Sequence, residues 1–411
     1  MMKSMMMMLR TLLLCVILVG TTSAFFANTA SAVPRMSLTA GTPCSACHLN
    51  VTGGGGRTEL GWSSMATTGA ITYDKMGLDA VHNMHHNGFG EGTVQLGADV
   101  RIQVAKLGQP TVEFDDQGQA SVVSPDRRVI PMQVQPYIGV YAKDWLKLYG
   151  TYAAGPSTFS GNFCDPTYPG QSCFAASANI QPTYTSPILK VGHFRPAIGI
   201  RHDDHTMLGL GDASQPRQPA IAPNYADTGA EMTYSPTFWF QTSVGGFWAR
   251  NLAEAIADEA ILDPNSPAVI GKVMFQPRFE GEKLTVTSWL GSSLYWAGRY
   301  RLENYFLGLG LLDKGSLMVE ASRSDRGQEA DWNTLNIMTM LSVQLREWLI
   351  LNGRVERATT EKAGEEFVTD ALVIGAEIFP VPYIELRPEY RILRTNNYSL
   401  GQHTIQVHFF F

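Results

Sequence analysis

The chain has 411 residues, of which 45% are hydrophobic and 17% are charged, and its net charge at pH 7 is -6. This small negative charge gives no indication of nucleic-acid binding, which depends on a basic surface. The 39 glycines, 15 tyrosines and 8 tryptophans favour β-structure with many aromatic side chains at a boundary. Length alone leaves room for two or three domains.

Residues 1–32 have the pattern of a secretory signal peptide. Lys3 and Arg10 accompany an apolar run at 12–19, and small residues ending at Ala32 follow that run. We therefore expect residues 1–32 to be removed, with a cut after Ala24 as the alternative, and the mature protein to meet an oxidising compartment. No later segment has the roughly 18 consecutive apolar residues that a membrane helix needs.

From residue 92 onward, apolar residues recur at every second position. Near the start, Val94, Leu96 and Val100 alternate with polar or small residues, as in a strand with one apolar face. The pattern predicts sixteen strands, at 92–105, 129–142, 145–154, 175–185, 187–195, 226–234, 237–249, 267–280, 282–295, 299–312, 314–325, 331–343, 345–357, 366–378, 381–395 and 402–411.

The connections between these strands alternate in length. A short turn such as 143–144 follows a long polar stretch such as 106–128, and the last strand ends at Phe411. Short turns on one side, long loops on the other and a terminal aromatic residue are typical of bacterial outer-membrane barrels. We predict an all-β fold at 92–411, a transmembrane antiparallel β-barrel in the outer membrane of a Gram-negative-type bacterium. A soluble sandwich or propeller is the alternative, but no blade-length repeat supports a propeller.

The short segment 33–91 precedes the barrel and contains Cys44, Cys47 and His48 in the order C-x-x-C-H. In an exported chain this spacing is typical of c-type haem attachment. We predict one haem c, with thioether bonds to Cys44 and Cys47 and with His48 as the proximal iron ligand. Because 33–91 is too short to bury a core from side chains alone, the haem would form part of that core, and the segment is a candidate plug for the barrel.

The motif has three other interpretations. A thioredoxin-like redox pair would need a βαβ domain around it, and a zinc site would need a second pair of ligands. A plain disulfide between Cys44 and Cys47 stays open but leaves His48 unused. The remaining cysteines, Cys164 and Cys173, bracket a turn-rich stretch in a long loop, and we predict a disulfide between them.

The sixth ligand of the haem iron is sought near the end of the segment. Methionine ligation would raise the reduction potential relative to a second histidine. The candidates are His82, Met84, His85 and His86, with Met36, Met65 and Met76 as further possibilities.

The longest loop, 196–225, is the third long loop of the predicted barrel. In many sixteen-stranded porins the third long loop folds inward and narrows the channel. It contains four consecutive polar residues that could line a constriction or bind a metal ion: His202, Asp203, Asp204 and His205. Consecutive residues of an extended loop point in alternate directions, so all four cannot meet one ion, and a solvated turn is the alternative.

A C-x-x-C-H segment followed by a sixteen-strand barrel resembles the fused outer-membrane cytochrome–porins of iron-oxidising bacteria. The likeness rests on Cys44, Cys47 and His48, on the glycine run at 53–56 and on Phe411. It implies an electron carrier without a bond-making active site. Such a carrier would connect an outer-face donor or acceptor, such as iron, with a periplasmic electron carrier.

A physical argument agrees with this expectation. The hydrocarbon layer is about 30 Å thick, so a single haem below it could not pass electrons across. A barrel of this size leaves a lumen wide enough for a haem segment. Two alternatives stay open: a solute-conducting porin whose haem segment is a redox-sensing or docking cap, and a sheath around a separate multihaem cytochrome. The direction of electron flow and the formation of a homotrimer also stay open.

Overall fold

The computed structural model describes most of the chain after residue 93 and several stretches before it. The described residues are 34–40, 47–48, 57–58, 60–61, 64, 68–72, 74–77, 93–107, 111–114, 120–123, 127–153, 172–183, 185–200, 207, 211–213, 215–219, 221, 225–256, 261–282, 284–326, 332–397 and 399–410.

Strands dominate these residues. They are β1 Val94–Leu107, β2 Thr111–Phe114, β3 Ala120–Val123, β4 Arg127–Lys143, β5 Leu146–Tyr152, β6 Phe174–Ile180, β7 Ile188–Phe194, β8 Gly211–Asp212, β9 Gln215–Pro219, β10 Asp227–Thr237, β11 Phe240–Trp248, β12 Pro267–Phe275, β13 Arg278–Glu280, β14 Thr285–Ala297, β15 Tyr300–Leu311, β16 Gly315–Asp325, β17 Trp332–Arg346, β18 Leu349–Lys362, β19 Glu365–Val381, β20 Ile384–Thr395 and β21 Ser399–Phe410. The described helices are α1 Pro34–Ala40, the 3-10 helix η1 Asp74–Met76 and α2 Arg250–Ile256.

The main sheet is a closed antiparallel barrel. Neighbours along the chain pair with each other, and β1 pairs with β21 from Asp99 opposite Phe410 to Leu107 opposite Gln402, which closes the ring. Both β12 and β13 pair with β14, so these two segments are one interrupted strand, and the barrel has sixteen strands. The hairpins β2–β3 and β8–β9 lie outside the barrel sheet. All sixteen predicted strands are therefore confirmed.

The largest differences from the predicted boundaries lie at two connections. β18 and β19 extend to a two-residue turn in which Ala363 and Gly364 have positive φ values of 51° and 79°. Two successive positive φ values are typical of the turns that match strand twist in hairpins. The alternation around 358–365 had suggested a longer loop. β6 ends at Ile180, earlier than predicted, and the backbone N–H of the next residue, Gln181, donates to the Trp145 carbonyl at 2.8 Å.

The two faces of the barrel have opposite character. Apolar side chains such as Leu290, Val244 and Ile374 point outward and are 55–59% exposed. Polar side chains such as Asn304 and Glu356 point inward and are buried. An apolar outer band around a polar interior is the pattern of a barrel that faces lipid. Short turns, including 144–145 and 238–239, lie at one end, which is therefore the periplasmic end.

Candidate functional site

The barrel lumen is the candidate site, and the loop after β7 enters it. Three backbone N–H groups of this loop donate to side chains of the inner wall. Ala197 donates to Glu231 Oε2 at 2.9 Å, Gly199 to Ser293 Oγ at 2.8 Å and Ile200 to Glu320 Oε1 at 3.1 Å. The described part of the third long loop thus folds inward, as predicted.

The same loop reaches the opposite wall before it returns. The N–H of Ala213 donates to Thr360 Oγ1 at 2.8 Å, and its carbonyl accepts from Thr369 Oγ1 at 3.4 Å. At the end of the loop, the Tyr225 hydroxyl donates to Asp227 Oδ2 at 2.6 Å. Burial raises the pKa of Tyr225 well above its ordinary value, so this hydroxyl stays protonated and donates. We refer to the described residues between 195 and 226 as the inward loop, and it crosses the lumen.

Helix α1 occupies the lumen near the periplasmic end. Its Leu38 is completely buried. The Leu38 carbonyl accepts from Thr287 Oγ1, and the Thr39 carbonyl accepts from the backbone N–H of Asp313 at 3.0 Å. Two glycines on β15 make room for the helix, because a Cβ on Gly308 would lie 2.8 Å from Leu38 Cδ1, and a Cβ on Gly310 would lie 2.5 Å from the Leu38 carbonyl oxygen.

Leu38 and the inward loop meet in one apolar cluster. Leu38 packs with Ile200 and with inward-facing side chains of four neighbouring strands. The wall residues of this cluster are Trp289, Phe306, Met318, Met338 and Met340, with Met207 and Met274 at its edge. Methionine side chains adapt to irregular gaps, which suits a seam between a loop, a helix and a sheet. The periplasmic half of the lumen is thus filled by protein at this point.

The described part of the C-x-x-C-H motif is buried near the periplasmic mouth. Cys47 and His48 are only 7% and 4% exposed. His48 forms an antiparallel bridge with Arg57, and the N–H of Thr58 donates to the Cys47 carbonyl at 3.0 Å. The Arg57 guanidinium lies 4.9 Å from the centre of the Phe410 ring. The bridged residues His48 and Arg57 therefore lie beside the last strand of the barrel.

A second contact ties the segment to a periplasmic turn. The N–H of Ala70 donates to the Phe379 carbonyl at 2.9 Å, and that of Ile71 donates to the Pro380 carbonyl at 3.1 Å. Met76, one of the further candidates for the sixth ligand, lies in η1 and is 41% exposed. Both ends of the described segment thus contact the barrel at its periplasmic end.

The lumen wall near this mouth carries a connected set of charges. Arg387 Nη2 lies 2.9 Å from Glu385 Oε1 and 3.4 Å from Glu377 Oε1. His408 Nδ1 lies 3.0 Å from Glu385 Oε2, and its Nε2 lies 3.4 Å from Asp99 Oδ1. All five side chains are largely buried, so the charges of Arg387 and the three carboxylates depend on their neighbours.

Several predicted site residues lie outside the described residues. These are Cys44, His82, Met84, His85, His86, Cys164, His202, Asp203, Asp204 and His205. Cys173 is disulfide-bonded, whereas its pairing with Cys164 stays a prediction. Among the residues that the structure describes, no group of three or more His, Cys, Asp or Glu side chains could hold a metal ion.

The described residues of the motif, Cys47 and His48, can be compared with what a c-type haem requires. A c-type haem site needs two cysteine sulfurs and a histidine beside the second cysteine, and Cys47 and His48 supply two of these three residues in a buried position. A Cβ on Gly61 would lie only 3.0 Å from the Cys47 carbonyl carbon, so the chain after the motif packs directly on its backbone. The donor chemistry and the low exposure therefore fit a c-type haem.

Comparisons with known proteins were made at three levels. No protein-family model matches the sequence, and no curated protein matches it. In structure, the chain is similar to a loop-deletion mutant of OmpT from Vibrio cholerae, with 11% identity and a TM-score of 0.49 over 78% of this chain and 99% of that chain. OprB of Pseudomonas putida gives 11% identity and a TM-score of 0.49, over 78% of this chain and 94% of that one. An anion-selective porin from Comamonas acidovorans is similar with 11% identity and a TM-score of 0.48, over 77% of this chain and 99% of that chain.

The closed ring of strands and the outward-facing apolar band show to which class of protein the chain belongs. The protein is an outer-membrane β-barrel. Only a closed barrel satisfies every backbone hydrogen bond of strands that face lipid. Helices α1 and α2 have 7 residues each, and the described residues include no helix with the length and apolarity of a membrane span.

Proposed function

We propose that this barrel transfers electrons at the outer membrane through one c-type haem held in its N-terminal segment. Cys44 and Cys47 would form the thioether bonds, and His48 would bind the iron from one side. The haem supplies a one-electron couple when bound. An outer-face donor or acceptor such as iron and a periplasmic carrier are the proposed partners, and the resemblance to cytochrome–porin fusions agrees with them.

One observation carries this proposal: the buried position of Cys47 and His48 beside the barrel wall. A redox-sensing or docking cap that only covered the mouth would have its motif on the outside. Here His48 and Arg57 pair with each other, and Arg57 lies over Phe410. The wall thus fixes the backbone next to the proposed iron ligand and shields it from water, which lowers the local dielectric constant.

The charges around Arg57 have a defined role in this proposal. Asp99, which lies beside Arg57 and Arg101, receives a contact from His408. A fixed set of charges near a redox centre adjusts its potential. The wall would therefore position the segment and set the electrostatic environment of the haem.

A solute-conducting porin is the second candidate. The inner wall favours it, because ion pairs such as Arg354–Glu356 and polar side chains such as Asn304 line the lumen. The cluster of Leu38, Ile200 and Trp289 favours the first candidate, because it fills part of the cross-section with apolar protein. Leakage of small solutes from liposomes that contain the protein distinguishes the two functions.

The first experiment is a haem-stained gel with reduced-minus-oxidised spectra of purified outer membranes. The natural chain should give a covalent haem signal at its mature mass, and the Cys44→Ala/Cys47→Ala double variant should lose it. The Cys164→Ala/Cys173→Ala double variant is a matched control, because it also removes two cysteines and should keep the signal. A natural chain without covalent haem would exclude the electron-transfer proposal.

A second experiment tests electron transfer across the membrane. Proteoliposomes with the natural chain receive a membrane-impermeant reductant on one side, and haem reduction is followed by absorbance. Reduction from either side without leakage of entrapped sugars would support electron transfer. Sugar leakage at porin-like rates would support the solute channel instead.

A further inference from the structure

A shallow pocket in the outer wall of the barrel, which we call the dent, lies away from the lumen and is unrelated to the haem motif. It has a volume of about 340 Å³ and lies between β11, β12, β14 and β15. Most of its lining side chains belong to the outward-facing positions of these strands: Thr242, Val244, Gly271, Val273, Ser292, Leu294, Arg301, Glu303 and Tyr305. The dent therefore opens toward the membrane.

The floor of the dent is apolar and exists because of one glycine. Gly271 lies opposite Val244 on one side and Leu294 on the other. A Cβ on Gly271 would meet nothing within 4 Å, and Val244 and Leu294 are 55% and 39% exposed. A hydrocarbon chain lying in this space would contact the walls on two sides, which a flat barrel surface does not offer.

The upper edge of the dent is charged. Arg301 is the first outward residue after the turn at Gly298 and Arg299, which joins β14 to β15 at the end opposite the periplasm. Its guanidinium contacts Glu303, and Glu303 also accepts from the Tyr305 hydroxyl at 3.2 Å. The Arg301 side chain is still 58% exposed, so several of its five N–H donors face outward.

The neighbouring strand adds charges of both signs. Arg323 lies opposite Glu303, and Asp325 lies opposite Arg301, so cations and carboxylates alternate across β15 and β16. Because the patch is not strongly positive, a charge contact alone would be weak, and recognition needs the apolar dent as well. The β14–β15 turn has only two residues, and the loop between β11 and β12 contacts it, because the backbone N–H of Arg299 donates to the Ile261 carbonyl at 3.0 Å.

We propose that this dent binds one anionic glycolipid of the outer leaflet, with an acyl chain against Gly271 and a phosphate on Arg301. Guanidinium groups bind phosphate through paired, charge-assisted hydrogen bonds. An aromatic side chain at the same height, Trp296, is 55% exposed and lies opposite Arg301, as expected at the boundary between headgroups and hydrocarbon. The site goes beyond the proposed electron transfer and does not depend on it.

Native mass spectrometry of the full chain in detergent tests the site. Purified protein is titrated with diphosphorylated lipid A, with dephosphorylated lipid A and with phosphatidylethanolamine. The natural chain should retain one diphosphorylated lipid A. Gly271→Leu, which fills the dent, and Arg301→Gln, which removes the cation, should each lower its occupancy by roughly tenfold.

Gly353→Leu is the matched control. Gly353 is also an outward glycine with open space around its Cβ, and it lies between Leu341 and Ile374, away from the dent and from Arg301. This variant should bind like the natural chain. Equal occupancy in all four proteins, or equal retention of phosphatidylethanolamine, would overturn the proposal. If Gly271→Leu does not assemble, the lipid occupancy of Arg301→Gln alone tests the proposal. Arg301 is an exposed surface residue, so its replacement should leave the fold intact.

Discussion

Leu38 of the N-terminal helix fits into a space that Gly308 leaves in the barrel wall. A Cβ on Gly308 would lie 2.8 Å from Leu38 Cδ1 and 2.9 Å from the Trp289 ring. A side chain on the wall would therefore displace the helix. The relationship links two residues 270 positions apart in a chain where most barrel contacts join neighbouring strands.

This contact predicts a local change when either partner is altered. Leu38→Ala should weaken docking of α1 by about 2–5 kcal/mol, because it leaves a cavity in a buried cluster. Gly308→Val should weaken it by about 1–3 kcal/mol through overpacking. Hydrogen exchange in the peptide that covers 34–40 measures both effects. Leu60→Ala, at a side chain that is 50% exposed, should leave exchange there unchanged. Unchanged exchange in all three variants would show that α1 is not held by Leu38.

The charged set around Arg387 predicts a large effect on stability. Arg387→Met removes the cation between the buried side chains of Glu377 and Glu385, and loss of one partner of a buried ion pair should cost about 3–5 kcal/mol. Urea unfolding of the barrel in detergent micelles measures the loss. The control is Arg250→Met, because the Arg250 and Glu254 side chains pair on the exposed face of α2 and should contribute about 0–1 kcal/mol. Similar losses in the two variants would contradict the buried network.

The inward loop predicts a change in conductance. Glu320→Gln replaces the carboxylate that accepts from Ile200 N, and hydrogen bonds to charged groups contribute about 1.5–3 kcal/mol. The loop should leave the wall more often, so exchange at 197–200 and ion conductance in planar bilayers should both increase. Glu280→Gln changes a carboxylate that is 69% exposed near a periplasmic turn, and it should alter neither measurement. A faster exchange without higher conductance would mean that the loop does not limit the channel.

The barrel was predictable because its physical signal repeats. Each strand alternates apolar and polar residues, since one face meets lipid and the other meets the lumen, and this pattern located all sixteen strands. The inward loop was predictable from its length and its position as the third long loop. The connection at Ala363 and Gly364 is shorter than predicted, because Ala-Gly is a weaker turn signal than Asn-Gly or Asp-Gly.

The lumen contacts were not predictable from single positions. Leu38 belongs to a helix of 7 residues, which is too short to show a helical period, and its partners in the barrel wall lie about 250 residues later or more. Arg387 and Glu377 meet only because β19 and β20 pair in one register. Arg57 could have been suspected, because it follows the glycine run after the motif, but its contact with Phe410 depends on closure of the barrel. The haem ligands themselves stay predictions.

The seam between β1 and β21 has a further consequence for biogenesis. Asp99 and Phe410 face each other across this seam, and Arg57 contacts the Phe410 ring. The first and last strands of a barrel become neighbours only at the final step of assembly. The surface against which Cys47 and His48 lie is therefore absent from an incompletely assembled barrel. Correct packing of the N-terminal segment would therefore require a closed barrel. A segment that matured before closure would lack the strand surface against which it packs.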